Sequence, residues 1–241
     1  MLETVKITSI SKHFGSKTVL TDVSLSMSQG QIYGFIGPSG AGKTTLVKMM
    51  VGMDTPDCGE VHILDEKMPS LNILPKIGYM AQSDALYPEL TGMENIQFFA
   101  ELYTMPKAKQ KERIAYAARL VHLQEELNKK VSAYSGGMKR RLSLAIALVQ
   151  DPDILILDEP TVGIDPELRL GIWNELSRLK KAERKTIIVT THVMDEADRC
   201  DQLAMVRDGR ILAEGSPHAL KNMYQANSLE EVFLKAGRHE R

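Results

Sequence analysis

GPSGAGKTT, residues 37–45, follows the apolar run QIYGFI (residues 31–36) and precedes LVKMMV (residues 46–51). The spacing fits G-x-x-x-x-G-K-[ST], and the flanks read as a strand before it and a helix after it, from about Lys43 to Val51. Glycines let the chain fold so that backbone N–H groups converge at a helix N-terminus, where the partial positive charge stabilises phosphate oxygens. Gly37, Pro38, Ser39, Gly40, Ala41, Gly42, Lys43, Thr44 and Thr45 therefore read as a phosphate cradle. In it the Lys43 ammonium reaches the β- and γ-phosphates, and the Thr44 hydroxyl ligates Mg2+.

Outward from that loop the chain reads as α/β. VKITSI and TVLTDVSLSM alternate as short strands with Phe14-Gly15 at the turn between them, which predicts an antiparallel sheet that GEVHILDE rejoins. IGYMAQ, ILILDE and TIIVTTH are β-rich runs separated by helical segments, as in a mostly parallel, doubly wound sheet. Between residues 86 and 151 the pattern turns helical: Met93 to Tyr103, Ala108 to Leu123 and Arg140 to Val149. This predicts a helical subdomain (86–151) inserted into an α/β core made from residues 1–85 and 152–220. Asp208-Gly209 marks a hairpin, and a C-terminal helix, capped at Ser228, is expected within residues 221–241.

The totals constrain partners. The 241 residues carry 30 Lys+Arg against 31 Asp+Glu, and a net charge of -1 gives no electrostatic reason to expect nucleic acid. The two cysteines, Cys58 and Cys200, lack metal-ligand spacing and suit a reducing compartment, both reading as small buried or half-buried hydrophobes. The N-terminal MLETVKITSI has no apolar signal core, and the longest apolar run, Leu144 to Val149, is too short to span a bilayer. Any membrane role is expected to go through another chain.

A magnesium-phosphate site needs a further carboxylate and, for hydrolysis, a group that orients water. ILILDEP supplies both: Asp158 ends a buried run where it would hold Mg2+, and Glu159 follows as general base. Gln82 and His192 each terminate another β-rich run. In an open parallel sheet the strand C-termini line one crevice, so both side chains are expected at the γ-phosphate, with Gln82 also a candidate ligand for the metal.

Taken in order, GPSGAGKT, Gln82, YSGGM, ILILDEP, GIDP and THVMDEAD resemble the nucleotide-binding subunit of ATP-binding cassette (ABC) transporters over essentially the whole chain. The resemblance implies a P-loop NTPase core of RecA-like type. It also implies a head-to-tail pair of cassettes in which Ser135, Gly136 and Gly137 of one chain close on the ATP held by the other. It further places Phe14 against adenine, has Asp165 carry signals between the two sites and makes His192 a switch at the γ-phosphate. For Phe14 the bland alternative is a core aromatic beside a turn. Tyr134 and Met138 replace the Leu and Gln of the commonest LSGGQ signature.

With PELTGMENI and SLEEVFL, that variant resembles ATPases of the exporter branch that move drugs, lipids, polysaccharides or ions through permeases of the ABC-2 type. The expected partners are therefore a second cassette, identical or not, and an integral membrane permease, at the cytoplasmic face of a bacterial membrane. A soluble cassette ATPase acting on DNA or ribosomes is the alternative, but the paired cassettes or coiled-coil insertions usual there are missing. A small-molecule P-loop kinase leaves Ser135 to Gly137, Gln82 and His192 without a use. Lys139, Arg140 and Arg141 oppose the dipole of the helix they open. They read equally as a solvated face and as groups serving a phosphate or an acidic surface.

Overall fold

The computed structural model describes residues 2–103 and 105–237. In chain order, β1 (Glu3–Phe14), β2 (Lys17–Ser28), β3 (Ile32–Ile36), α1 (Lys43–Met50), β4 (Cys58–Ile63) and β5 (Glu66–Lys67) come first. Next are β6 (Ile77–Met80), α2 (Gly92–Glu101), α3 (Lys107–Leu120), α4 (Gly136–Val149), β7 (Ile154–Asp158) and α5 (Pro166–Glu183). Last come β8 (Thr186–Thr191), α6 (Met194–Ala197), β9 (Gln202–Arg207), β10 (Arg210–Gly215), α7 (Pro217–Met223) and α8 (Leu229–Ala236). Contacts divide the chain into two units, Met1–Ile73 with Thr186–Arg241, and Leu74–Lys185.

The first unit holds an antiparallel sheet ordered β2-β1-β4-β5. Its register sets Val5 opposite Met27 and Ile63, and Ile7 opposite Leu25 and Val61. All six are buried, because side chains two apart share one face of a strand. The same alternation corrects one expectation: Cys58 is exposed, whereas Cys200 is buried as expected. Val61 and Ile63 take the inner face of β4, so Cys58, even-numbered like Glu60 and His62, falls on the outer one.

Also in this unit, the strands run β10-β9-β3-β8, with β3 parallel to both neighbours and β9-β10 an antiparallel hairpin turning at Asp208-Gly209. Every residue of β3 and of β8 is buried, as strands covered on both faces require. Ser228 caps α8 by accepting from the Glu231 N–H, and residues 238–241 lie outside the described residues.

In the second unit β6 and β7 pair in parallel, from Ile77 opposite Ile154 to Met80 opposite Leu157. Helix α2 starts at a capping box in which Thr91 and Glu94 satisfy each other's backbone N–H groups. Helix α4 buries Leu142, Leu144, Ala145, Leu148 and Val149. It begins at Gly136, a turn before the expected Arg140, because the Ser135 hydroxyl accepts from the Met138 N–H at 3.2 Å and nucleates a first turn through two glycines. Low helix propensity concealed that turn in the sequence.

Candidate functional site

In the first unit, β3 runs into the glycine loop and α1 leaves it. Gly42 occupies the N-cap of α1 with φ +108°, a conformation open to glycine and costly to other residues. A Cβ on Gly37 would stand 2.0 Å from the Val206 carbonyl oxygen, and one on Gly42 would stand 2.7 Å from Leu20 Cδ2. The loop is thus pressed against its own chain, and glycine at these positions is a packing requirement. Within the loop Ala41 N–H donates to Pro38 O at 3.2 Å, and Gly209 N–H donates to Ala41 O at 3.2 Å. The Lys43 ammonium is buried and folds back onto the carbonyls of Gly37 (2.7 Å) and Pro38 (3.0 Å). Thr44 and Thr45 follow in the first turn, half-buried.

Two further residues belong to this unit. His192 is exposed directly after β8, where the chain is steadied by Val193 N–H donating to Thr191 Oγ1 at 3.0 Å and by Thr191 Oγ1 donating to the buried Glu196 carboxylate at 2.7 Å. Phe14 ends β1 with 52% of its surface exposed, which removes the core-aromatic alternative. The Lys12 ammonium stands 5.2 Å from its ring centroid, within cation–π range.

The second unit gathers the other candidates at the C-terminal ends of β6 and β7. Asp158 closes β7 and is buried; Glu159 follows, half-buried, with φ +54°. Gln82, exposed after β6, directs its Nε2 at Glu159 Oε2 across 3.5 Å. Among the groups expected at a γ-phosphate, Gln82 and Glu159 are thereby brought together. Tyr79 on β6 has its phenol pushed up to about 12, first by burial and then by the Asp158 carboxylate.

The signature turn lies in this unit and differs in kind from the glycine loop. Ser135 is the exposed N-cap of α4, and Gly136 and Gly137 are its first two helical residues. Neither glycine has a positive φ. A Cβ on Gly136 would meet nothing within 4 Å, and one on Gly137 would meet only Gly163 O, at 3.1 Å. Tyr134 is buried, its hydroxyl donating to Glu126 O at 2.7 Å, so it anchors the turn. Asp165 caps α5, accepting from Leu168 N–H at 2.9 Å.

The three bases after the turn separate, and neither reading of them as a group survives. Lys139 is half-exposed, while Arg141 donates to the carbonyls of Val121 (3.2 Å) and His122 (3.1 Å). Arg140 is 7% exposed and donates to four carbonyls: Nη1 to Ala81 (2.6 Å) and Gln82 (2.9 Å), Nη2 to Asp158 and to Glu159 (2.7 Å). Burial lowers the pKa of its guanidinium, opposed by the charges of Asp84, Asp158 and Glu159. Sequence reasoning missed this arrangement. The available signal was a cation placed against a helix dipole, which needed a compensating partner.

The sequence pattern of the ABC transporter family matches residues 20–162. The chain belongs to that family and is an ATP-binding, ATP-hydrolysing subunit of a transporter. It is 43% identical over 214 residues to the Nod factor export ATP-binding protein I of Burkholderia orbicola (strain AU 1054), covering 88% of this chain and 70% of that protein. Against the protein of the same name from Rhizobium sp. (strain N33) the identity is 41% over 232 residues, covering 95% and 76%. Among solved structures, the ATP-binding subunit of an ABC transporter superposes with a TM-score of 0.90 at 26% identity, over 97% of this chain and 99% of that one. A dimeric ATP-binding cassette in a post-hydrolysis state, bound to ADP and Pi, superposes at 0.82 with 29% identity, over 88% and 98%. The P-loop NTPase fold follows from these likenesses, and no helix among the described residues is long and apolar enough to cross a membrane.

Proposed function

We propose that this cassette binds ATP with its phosphates in the cradle of residues 37–45 and hydrolyses it with Glu159 as general base, Gln82 and His192 orienting the water and the γ-phosphate. The site is completed by Ser135, Gly136 and Gly137 of a second cassette. One observation carries the composite site: the signature glycines are imposed neither by φ nor, at Gly136, by any atom of the described residues beyond its own helical turn. A helix mouth kept bare in this way suits an anion brought from outside, since its N–H groups and dipole favour negative charge. The adenine stacks on the exposed Phe14, and Asp165 relays between the two sites.

The candidate metal ligands are oxygen donors: the Thr44 hydroxyl, the Asp158 carboxylate and the Gln82 amide oxygen. That set suits Mg2+, which takes few protein ligands and completes its shell with phosphate and water. When bound, Mg2+ would neutralise charge on the phosphates; the chain's own groups position the nucleotide and accept the proton of the water.

The named relatives are export ATP-binding proteins. We infer that this cassette drives export through a separately folded permease of the ABC-2 type, as a peripheral subunit at the cytoplasmic membrane face. Glu159→Gln tests the centre of this reading. Removing a general base costs about 10²- to 10⁴-fold in rate, so the variant should bind ATP, nearly cease phosphate release and accumulate as a dimer in gel filtration with ATP. Parent-like turnover, or a monomer at saturating ATP, would count against it.

A further inference from the structure

We propose that Arg140 is a positioning residue for hydrolysis, through which the helix carrying the signature turn fixes the backbone of this chain's own Gln82 and Glu159. The proposal rests on the reading of Glu159 as general base and of residues 135–137 as ligands for a partner's phosphate. It assigns a device that links those two roles within one chain.

The clamp sits where the β6-β7 ladder ends. Its last register pair is Met80 with Leu157, so the carbonyls of Ala81, Gln82, Asp158 and Glu159 lie beyond the last pair of that ladder. Glu159 O also accepts from Val162 N–H at 3.4 Å, and carbonyls drawn wholly or partly out of water are stabilised by donors. Arg140 supplies them with one planar group, Nη1 taking the two oxygens at the end of β6 and Nη2 the two at the end of β7. The fork therefore sets the spacing between the segments that present Gln82 and Glu159, whose side chains stand 3.5 Å apart.

Two further observations give the clamp its purpose. Glu159 sits at φ +54°, a left-handed conformation that a non-glycine residue keeps only when its surroundings hold it there, and its own carbonyl is one of those Arg140 binds. The guanidinium is itself oriented from the acidic side by Asp84 Oδ1 at 3.9 Å, and Asp84 in turn accepts from Ser143 Oγ, one turn further along α4, at 2.8 Å. Arg140 lies five residues after Ser135 on the same helix, with its inward direction set by burial while Ser135 faces solvent. Any movement of α4 when a phosphate docks on its mouth is carried directly to the carbonyls on either side of the general base.

A lysine offers the same charge but a compact ammonium, which does not reproduce a planar fork spanning two pairs of oxygens. In the full chain, Arg140→Lys and Arg140→Gln should each lower kcat by about 10- to 100-fold with KM for ATP and the affinity for a fluorescent ATP analogue within about threefold, because positioning is felt in the transition state. Asp84→Asn, at a partly exposed site, should lower kcat by about threefold with an unchanged melting temperature, and Lys139→Gln should match the parent. In a Glu159→Gln background, Arg140→Gln should lower the residual rate by no more than about twofold, since residues acting through one another are non-additive.

Parent-like kcat in folded Arg140→Lys overturns the proposal, as does a full additional loss in the Glu159→Gln background or loss of ATP binding in a folded Arg140 variant. Should the Arg140 variants melt below the assay temperature, parent-like kcat in Asp84→Asn overturns it instead. Failure of the underlying reading looks different: Glu159→Gln would itself turn over like the parent.

Discussion

Two glycine-rich turns open helices in this protein, and their glycines are kept for different reasons. In the loop before α1 the chain is its own constraint: a Cβ at residue 37 would run into the Val206 carbonyl, and residue 42 holds a φ of +108°. In the turn before α4 neither glycine has a positive φ, and a Cβ at residue 136 would meet nothing within 4 Å, although one at residue 137 would crowd the Gly163 carbonyl. The first turn can be explained by folding alone. On the function proposed above, the second serves a phosphate brought from outside the chain.

The largest departure should come from Gly37→Ala. Forcing a methyl against backbone costs about 1–3 kcal/mol, or roughly 2–4 °C of melting temperature per kcal/mol for a chain of this size, and the distorted cradle should lose ATP in a direct binding titration. An alanine variant that binds like the parent would break the contrast from the first side.

Ser135→Trp attacks it from the other. With its donors obstructed the second turn should lose about 10²- to 10³-fold in turnover, whereas nucleotide binding by the isolated chain stays at the parent level. Loss of binding to the isolated chain would mean that the turn serves its own nucleotide.

Phe14→Ala should weaken ATP by about 5- to 10-fold, near the lower part of the 1–3 kcal/mol typical of base stacking, and leave an inorganic phosphate analogue bound as before. The smallest effect is expected at Gly136→Ala. With open space and no left-handed backbone, alanine should raise thermal stability by about 0.4–1 kcal/mol through the unfolded chain's reduced freedom. A destabilised alanine variant would show that the second turn is also constrained from within.

Much of this was legible in the sequence because it depends on local pattern. The loop at residues 37–45, the runs that became β6, β7 and β8, and the Asp208-Gly209 hairpin each carry their signal in a few neighbouring residues. The resemblance of motif order supplied the signature turn. What stayed hidden was set by long-range packing. Arg140 looks like one of three surface bases until the ends of β6 and β7, some 58 and 18 residues away in the chain, are laid against it. Cys58 needed the register of β4, since a single residue's polarity does not say which face of a strand it takes. The start of α4 was masked because glycine is a poor helix former and its cap, Ser135, carried the information instead.

The Arg140 clamp reads only main-chain oxygens, which every residue type possesses. Its hydrogen bonds therefore do not depend on which side chains stand at positions 81, 82, 158 and 159, although the Asp158 and Glu159 carboxylates favour the charged guanidinium. An altered water-orienting group at position 82 would therefore meet the same backbone hydrogen bond from Arg140. At residue 82 the support of a reactive group is thus a matter of main chain, and its chemistry a matter of side chain.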